Sequence, residues 1–341
     1  MRVDTLAISY TDKCNAACRH CCVCSGPKKN NKLDASLVIS RLKQFSENGF
    51  KKILFTGGEP SLFIDEIAKI VKNSRKYGYR SGIFTNGSWA VTEKSAEVFS
   101  KKLSSMGMSS AVLSTSRYHR EYVPFNTIMN AAKALKKQGL NVIVSSLYSN
   151  RSDPGEVYVD WKLANERIDT KQLLLCPDGR GSSLPETAGN FTIKAEDAVH
   201  KGSCDLMGQL YISHDGGIRL CCSIDAMPNR VRNNYFYYYG DIRKMPTSEI
   251  VKRIADCGAV AKLMSLRGPG GFYKLKKKQF DRLGFRLKKG YASICELCRD
   301  LFGDKRFEEV VRQICRDIAA KRTGENILSE SKSTKRRTVE E

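Results

Sequence analysis

No stretch of this 341-residue sequence approaches the roughly 18 consecutive apolar residues that a membrane-spanning helix needs. Nor does the N-terminus, MRVDTLAISYTDK, place a basic segment ahead of an apolar one, the layout that marks a secretory signal. Acidic residues are in deficit: 36 Asp and Glu stand against 58 Lys and Arg, a formal net charge of +22. No internal repeat exists beyond an alternation of strand-like and helix-like segments. These absences lead us to expect a cytoplasmic protein with no membrane partner. The charge favours an acidic ligand, whether peptide, nucleotide or nucleic acid.

What the sequence does have is cysteine, thirteen in all. In a secreted chain they would form disulfides, but without an export signal they point to metal ligation or redox chemistry. With 41% apolar and 28% charged residues the composition is that of a soluble globular protein. Its length allows one large catalytic domain with a smaller appendage, or two ordinary domains. Residues 320–341 are polar and charged without an apolar period, so they are expected to be frayed or disordered.

Six strand-like runs alternate with helical patterns over the first two hundred residues. The strands are expected at Leu6–Tyr10, Lys52–Thr56, Ser81–Thr85, Ala111–Thr115, Asn141–Ser145 and Gln172–Cys176. The helices are expected at Ala35–Glu47, Ile64–Tyr77, Glu93–Ser105, Thr127–Lys137 and Glu156–Glu166. That rhythm implies βαβ units and a parallel sheet, an α/β fold that is either doubly wound or an incomplete β/α barrel. The unusual residues follow the strands: a cysteine loop after the first, Gly57-Gly58-Glu59 after the second, Asn86-Gly87 after the third, Ser114 and Ser116 at the end of the fourth. The carboxyl ends of parallel strands are where such folds build active sites. Beyond residue 200, Leu210–Ser213 and Ile218–Cys221 flank His214-Asp215-Gly216-Gly217, a hairpin signal. An aromatic stretch, Tyr235–Tyr239, and a basic one, residues 273–289, follow.

Cys14, Cys18 and Cys21 place three thiols within eight residues. A structural zinc needs four ligands, which Cys22 or Cys24 could complete. Three thiolates instead leave the fourth iron of a [4Fe–4S] cluster open to a small molecule. Thr56-Gly57-Gly58-Glu59-Pro60 offers glycines that permit close approach of backbone to ligand, and a carboxylate able to pair with an ammonium group. Cys204, Cys221, Cys295 and Cys298 would suffice for a closed second site, iron–sulfur or zinc. Cys222 adjoins Cys221, but neighbouring side chains on a strand point to opposite faces. It is either a small core residue or a free thiol beside a redox centre.

The spacing of Cys14, Cys18 and Cys21 resembles that of the radical S-adenosylmethionine enzymes. The resemblance implies a [4Fe–4S] cluster on those residues whose open iron binds S-adenosylmethionine, an electron donor such as flavodoxin or ferredoxin, and a 5′-deoxyadenosyl radical. It places His20 near the adenine and Gly57, Gly58 and Glu59 at the methionine amino group. Thr85, Asn86 and Ser114 fall at the ribose or carboxylate. The C-terminal cysteines resemble the SPASM or shorter twitch module, with a second auxiliary [4Fe–4S] cluster on Cys204, Cys221, Cys295 and Cys298. The implied fold is a partial (β/α)6 barrel over residues 1–200 and a small C-terminal iron–sulfur module over 201–305. A C-terminal helix and basic, flexible tail would occupy 306–341.

Over roughly residues 8–302 the chain resembles the Yyd-type peptide epimerases. The matching segments are KCNAACRHCC, FTGGE, TNGSW, SRYH, HDGGIRLCC and SICELCRDLF. That likeness implies conversion of L- to D-residues in a ribosomally made precursor peptide, with Cys222 returning the hydrogen. Ser116 and Arg117 stand where the family has an acidic pair, and residues 273–289 are more basic than the likeness requires. Another outcome of the same chemistry, a thioether or carbon–carbon crosslink or oxidation of a small molecule, stays open. A zinc-stabilised nucleic-acid-binding protein ranks last, because it conflicts with the strand-end placement of Gly57-Gly58-Glu59; the basic stretch lacks an RNA-binding signature and reads as a solvated helical face. With strand one starting by about residue 6, peptide recognition is expected from the barrel mouth, the C-terminal module or the basic segment, with no leader-binding domain ahead of the barrel.

Overall fold

A computed structural model describes residues 4–148, 153–175, 179–185, 193–194, 197, 209–221, 238–256, 258–291 and 294–320. Cys204 and Cys222 lie outside these residues, as do Cys176, Tyr235–Tyr237 and residues 321–341.

Six parallel strands make the frame: β1 Thr5–Thr11, β2 Lys52–Gly57, β3 Arg80–Thr85, β4 Met108–Thr115, β5 Asn141–Tyr148 and β6 Asp169–Leu174. They pair in sequence order. The connecting helices are α1 Ala35–Glu47, α2 Ile64–Arg75, α3 Glu93–Met106, a single turn α4 Arg117–Arg120, α5 Phe125–Lys137 and α6 Pro154–Asn165. Every residue of β1 is buried, and its sequence TLAISYT carries no charge, as a strand covered on both faces requires. The helices turn apolar stripes inward: α1 buries Val38, Leu42 and Phe45, and α2 buries Ile67, Ile70 and Val71. Their ends follow side-chain chemistry. Asp34 caps α1 by accepting from the Ser36 N–H at 2.8 Å, and Thr92 and Ser95 form a reciprocal capping box on α3.

Among the described residues the sheet does not close, since β6 is not paired with β1. The free edge of β1 instead takes a parallel strand, Gln209–Ile212, followed by antiparallel Gly217–Arg219 and Tyr238–Asp241. The architecture is the partial (β/α)6 barrel the sequence led us to expect, with the C-terminal hairpin hydrogen-bonded into the same sheet. Strand six starts at Asp169, three residues before the expected Gln172, because its pairing with β5 begins at Ile143 opposite Asp169. Asp169-Thr170-Lys171 carries no apolar signal that could reveal this. Among the described residues, no helix is long and apolar enough to cross a membrane.

The basic 273–289 stretch divides between core and surface. Tyr273, Phe280 and Phe285 are buried and cluster with Phe307, with ring centroids 5.3 to 6.1 Å apart. Several of its cations are engaged locally: Lys276 with Asp317 at 3.0 Å, Lys277 with Asp281 at 2.6 Å, and Lys288 with Glu296 and Asp300 at 2.8 and 2.9 Å. Paired in this way they offer less to a phosphate backbone than the bare sequence promises.

Candidate active site

β1 opens into a loop that folds back on itself. The Asp12 carboxylate accepts from the Asn31 N–H at 2.8 Å and from Asn31 Nδ2 at 2.6 Å, while the Cys14 N–H donates to the Gly26 carbonyl at 3.2 Å. Inside this closure lie the three thiols, Cys18 buried and Cys14 and Cys21 half-buried, with Cys22 exposed. Burial pushes the Cys14 thiol up to about 11 and the Cys18 thiol up to about 12, and the neighbouring thiols add to both shifts. The Ala16 N–H and Asn86 Nδ2 point at Cys14 Sγ, at 3.4 and 3.8 Å. Three thiols on one loop, with amide donors aimed at the Cys14 sulfur, are a donor set that a cationic iron centre would stabilise as thiolates. Among the described residues, no three His, Cys, Asp or Glu side chains gather as they would around a single metal ion.

The glycines after β2 have a different neighbour from the one expected. Sequence reasoning assigned them to close approach of a ligand, whereas the structure puts the root of the cysteine loop against them. A Cβ on Gly58 would lie 1.9 Å from the Lys13 carbonyl oxygen, and one on Gly57, whose φ is +120°, 2.4 Å from that of Thr11. In the space left, the Gly58 N–H donates to Thr11 at 2.6 Å and the Glu59 N–H to Lys13 at 2.8 Å. Gly58→Ala should therefore push the loop off β2 and cost about 1–3 kcal/mol. Lower iron retention after anaerobic reconstitution, with a lowered Tm, would register the change.

Glu59 is buried and ties three strand ends together. Its carboxylate accepts from the Ser61 N–H at 3.1 Å, Thr85 Oγ1 at 2.6 Å and the Asn86 N–H at 2.7 Å. Asn86 Nδ2 in turn donates to Asn15 Oδ1 at 2.8 Å, inside the cysteine loop. Burial raises the Glu59 pKa against the pull of these neutral donors, and among the described residues no cation pairs with it. Cys14, Gly57, Gly58, Glu59, Thr85 and Asn86 thus belong to one connected site. Ser114 sits further round the mouth, half-buried and opposite Ser145 of β5.

His20 stacks on Tyr118 at 5.1 Å and meets the edge of His119 at 4.5 Å. Tyr118 is fully buried on α4. Ser116 Oγ lies 2.9 Å from His119 Nδ1. The turn is anchored by the buried Glu156, which accepts from the Arg117 N–H at 2.7 Å and Arg120 Nη2 at 2.7 Å. Burial, then the charge of Arg180, brings the His20 pKa down to about 4, and burial brings His119 down to about 3. Both imidazoles are neutral at physiological pH.

Two residues escaped sequence reasoning, Gly179 and Arg180, in a 3-10 turn Gly179–Ser183 beyond β6. Arg180 donates from Nε to the Cys18 carbonyl at 2.9 Å and from its N–H to the Cys21 carbonyl at 3.1 Å. Nothing in the sequence GRGSS signals this contact, which spans 162 residues.

Of the expected auxiliary ligands, Cys204 lies outside the described residues, as does the candidate donor Cys222. Cys295 and Cys298 are one turn apart on the helix Ile294–Phe302 and share a side of it. Cys298 and Cys221 pack against the same core. The hairpin turn brings His214 Nε2 to 3.6 Å from Asp12 Oδ2, beside the cysteine loop. The return strand leads away from that turn, with Arg219 beside Tyr211, itself level with Ala7 of β1.

Residues 8–151 match the model of the radical SAM superfamily, so this stretch is a radical SAM domain. A domain of this kind implies a [4Fe–4S] cluster and S-adenosylmethionine as cofactors. The chain is 22% identical over 309 residues to YydG of Bacillus subtilis (strain 168), whose name places it in peptide biosynthesis; the match covers 87% of this chain and 92% of YydG. A GTP 3′,8-cyclase of Clostridium acetobutylicum is 38% identical over 80 residues, 22% of this chain and 24% of its own. The solved structure of anSMEcpe with bound AdoMet and Cp18Cys peptide is similar with a TM-score of 0.53 at 16% identity, covering 93% of this chain and 99% of that one. At that identity the likeness establishes the fold alone.

Proposed function

We propose that the protein is a radical SAM peptide epimerase that converts chosen L-residues of a ribosomally made precursor peptide to D-residues. The likeness to YydG, running through 87% of this chain and 92% of that one, carries the reading. Cys14, Cys18 and Cys21 hold the [4Fe–4S] cluster, which with S-adenosylmethionine supplies hydrogen-atom abstraction. Glu59, a buried carboxyl that meets only neutral donors among the described residues, suits the ammonium of the methionine moiety. Gly57, Gly58, Thr85 and Asn86 hold that pocket to the loop, while His20 and Ser114 serve the adenosine side.

The chemistry closes as follows. The substrate residue loses its Cα hydrogen atom, and the Cys222 S–H delivers one to the opposite face. The resulting thiyl needs one electron and one proton to return to the thiol, from a low-potential donor of the flavodoxin or ferredoxin class. Cys204, Cys221, Cys295 and Cys298 are the proposed ligands of a second [4Fe–4S] cluster in a SPASM- or twitch-like module over residues 201–305. The barrel then occupies 1–200, and a C-terminal helix and tail 306–341.

Incubating the peptide encoded next to this gene with reconstituted enzyme, then hydrolysing it for chiral amino-acid analysis, tests the reading. D-residues support it; an all-L peptide despite S-adenosylmethionine cleavage overturns it. The course of the return strand away from the mouth favours one second reading, in which the peptide radical is oxidised and the product lacks two hydrogens.

A further inference from the structure

The turn beyond β6 grips the cysteine loop at three points. Arg180 Nε and its backbone N–H hold the Cys18 and Cys21 carbonyls, and Gly179 lies so close that a Cβ, built at its φ of +55°, would come within 2.4 Å of the Cys22 carbonyl oxygen and 2.5 Å of that of Cys21. The guanidinium has a donor to spare, because Arg180 Nη2 is buried and has no hydrogen-bond partner among the described residues. In a guanidinium the Nε–H and one N–H of Nη2 run parallel along the same edge. An edge whose Nε–H is spent on Cys18 therefore aims Nη2 into the same loop. A buried donor on a cation costs free energy unless an acceptor meets it, and the anionic sulfur face of a cluster on Cys14, Cys18 and Cys21 is such an acceptor.

We propose that Arg180 is a positioning residue that clamps the cysteine loop and donates through Nη2 to the sulfur face of the [4Fe–4S] cluster, raising its reduction potential. This rests on the placement of the cluster at Cys14, Cys18 and Cys21. Reduction adds one electron and no proton, so the cluster becomes more negative by one charge. A fixed cation and a hydrogen bond to sulfur both favour that reduced form.

The test is a potentiometric EPR titration of the reconstituted full-length protein, with dithionite as reductant, following the signal that responds to added S-adenosylmethionine. That response separates the site cluster from any second one. Arg180→Gln is expected to weaken the reduction equilibrium at least tenfold, which is about 59 mV of midpoint for a one-electron couple. Arg180→Lys, which keeps the charge but not the fork, should fall between Gln and wild type. A midpoint equal to wild type in whichever variant loads iron fully overturns the proposal. If neither variant loads iron, Arg180 is a scaffold for the loop and the electronic role is overturned too. A wild-type protein without any S-adenosylmethionine-responsive signal would instead sink the cluster placement itself.

Discussion

Cys18→Ala protein should fold and yet cleave no measurable S-adenosylmethionine. Cys18 is the buried member of the three, and its carbonyl is also the point at which Arg180 grips the loop. Removing the thiol takes away one of three ligands while leaving that backbone contact in place. The site cluster then has two protein ligands, too few to keep an open iron fixed. Iron should fall from about eight to about four atoms per chain, the count of one remaining cubane. Reductive cleavage should drop by more than about 100-fold, beyond what loss of an outer partner alone costs. Ferrozine iron counting and chromatography of 5′-deoxyadenosine check both. Full iron with normal cleavage would mean that the cluster is held elsewhere.

The second large effect concerns Cys222. Its replacement by alanine should leave S-adenosylmethionine cleavage within about threefold of wild type but cut D-residue formation by at least about 100-fold, close to 2.7 kcal/mol of barrier. The peptide radical would then be quenched from solvent on either face or be oxidised, so the product should be mixed. Ordinary D-residue formation by this variant would remove Cys222 from the mechanism. Cys221→Ala separates the two neighbours: loss of second-cluster iron is expected there, with the donor thiol still present.

The frame of the barrel was legible because its strands and helices differ in period. Ala35–Glu47 falls at the expected residues because Asp34 starts it and the apolar spacing of Val38, Leu42 and Phe45 continues to its end. Strand six was misplaced by three residues because Asp169-Thr170-Lys171 is polar and only the partner strand decides its start. At the site, spacing and residue type singled out the cysteines and Glu59, and folding links Cys14 and Glu59 through Asn86. The neighbours of Gly57 and Gly58 could not be read that way. A glycine records that something comes close, and which chain comes close is settled by folding. Tyr118 and Arg180 stayed hidden for the same reason: one became buried against His20 and the other reached back across 162 residues.

The central claim is inversion of a stereocentre with no net change in the peptide. It is tested most directly by running the reaction in deuterated water and weighing the peptide. The account predicts a gain of one mass unit per event at an exchange-inert Cα position, D-configured on hydrolysis, and an unchanged mass in ordinary water. A peptide lighter by two hydrogens in either solvent would contradict it and identify the protein as an oxidising, crosslink-forming member of the superfamily.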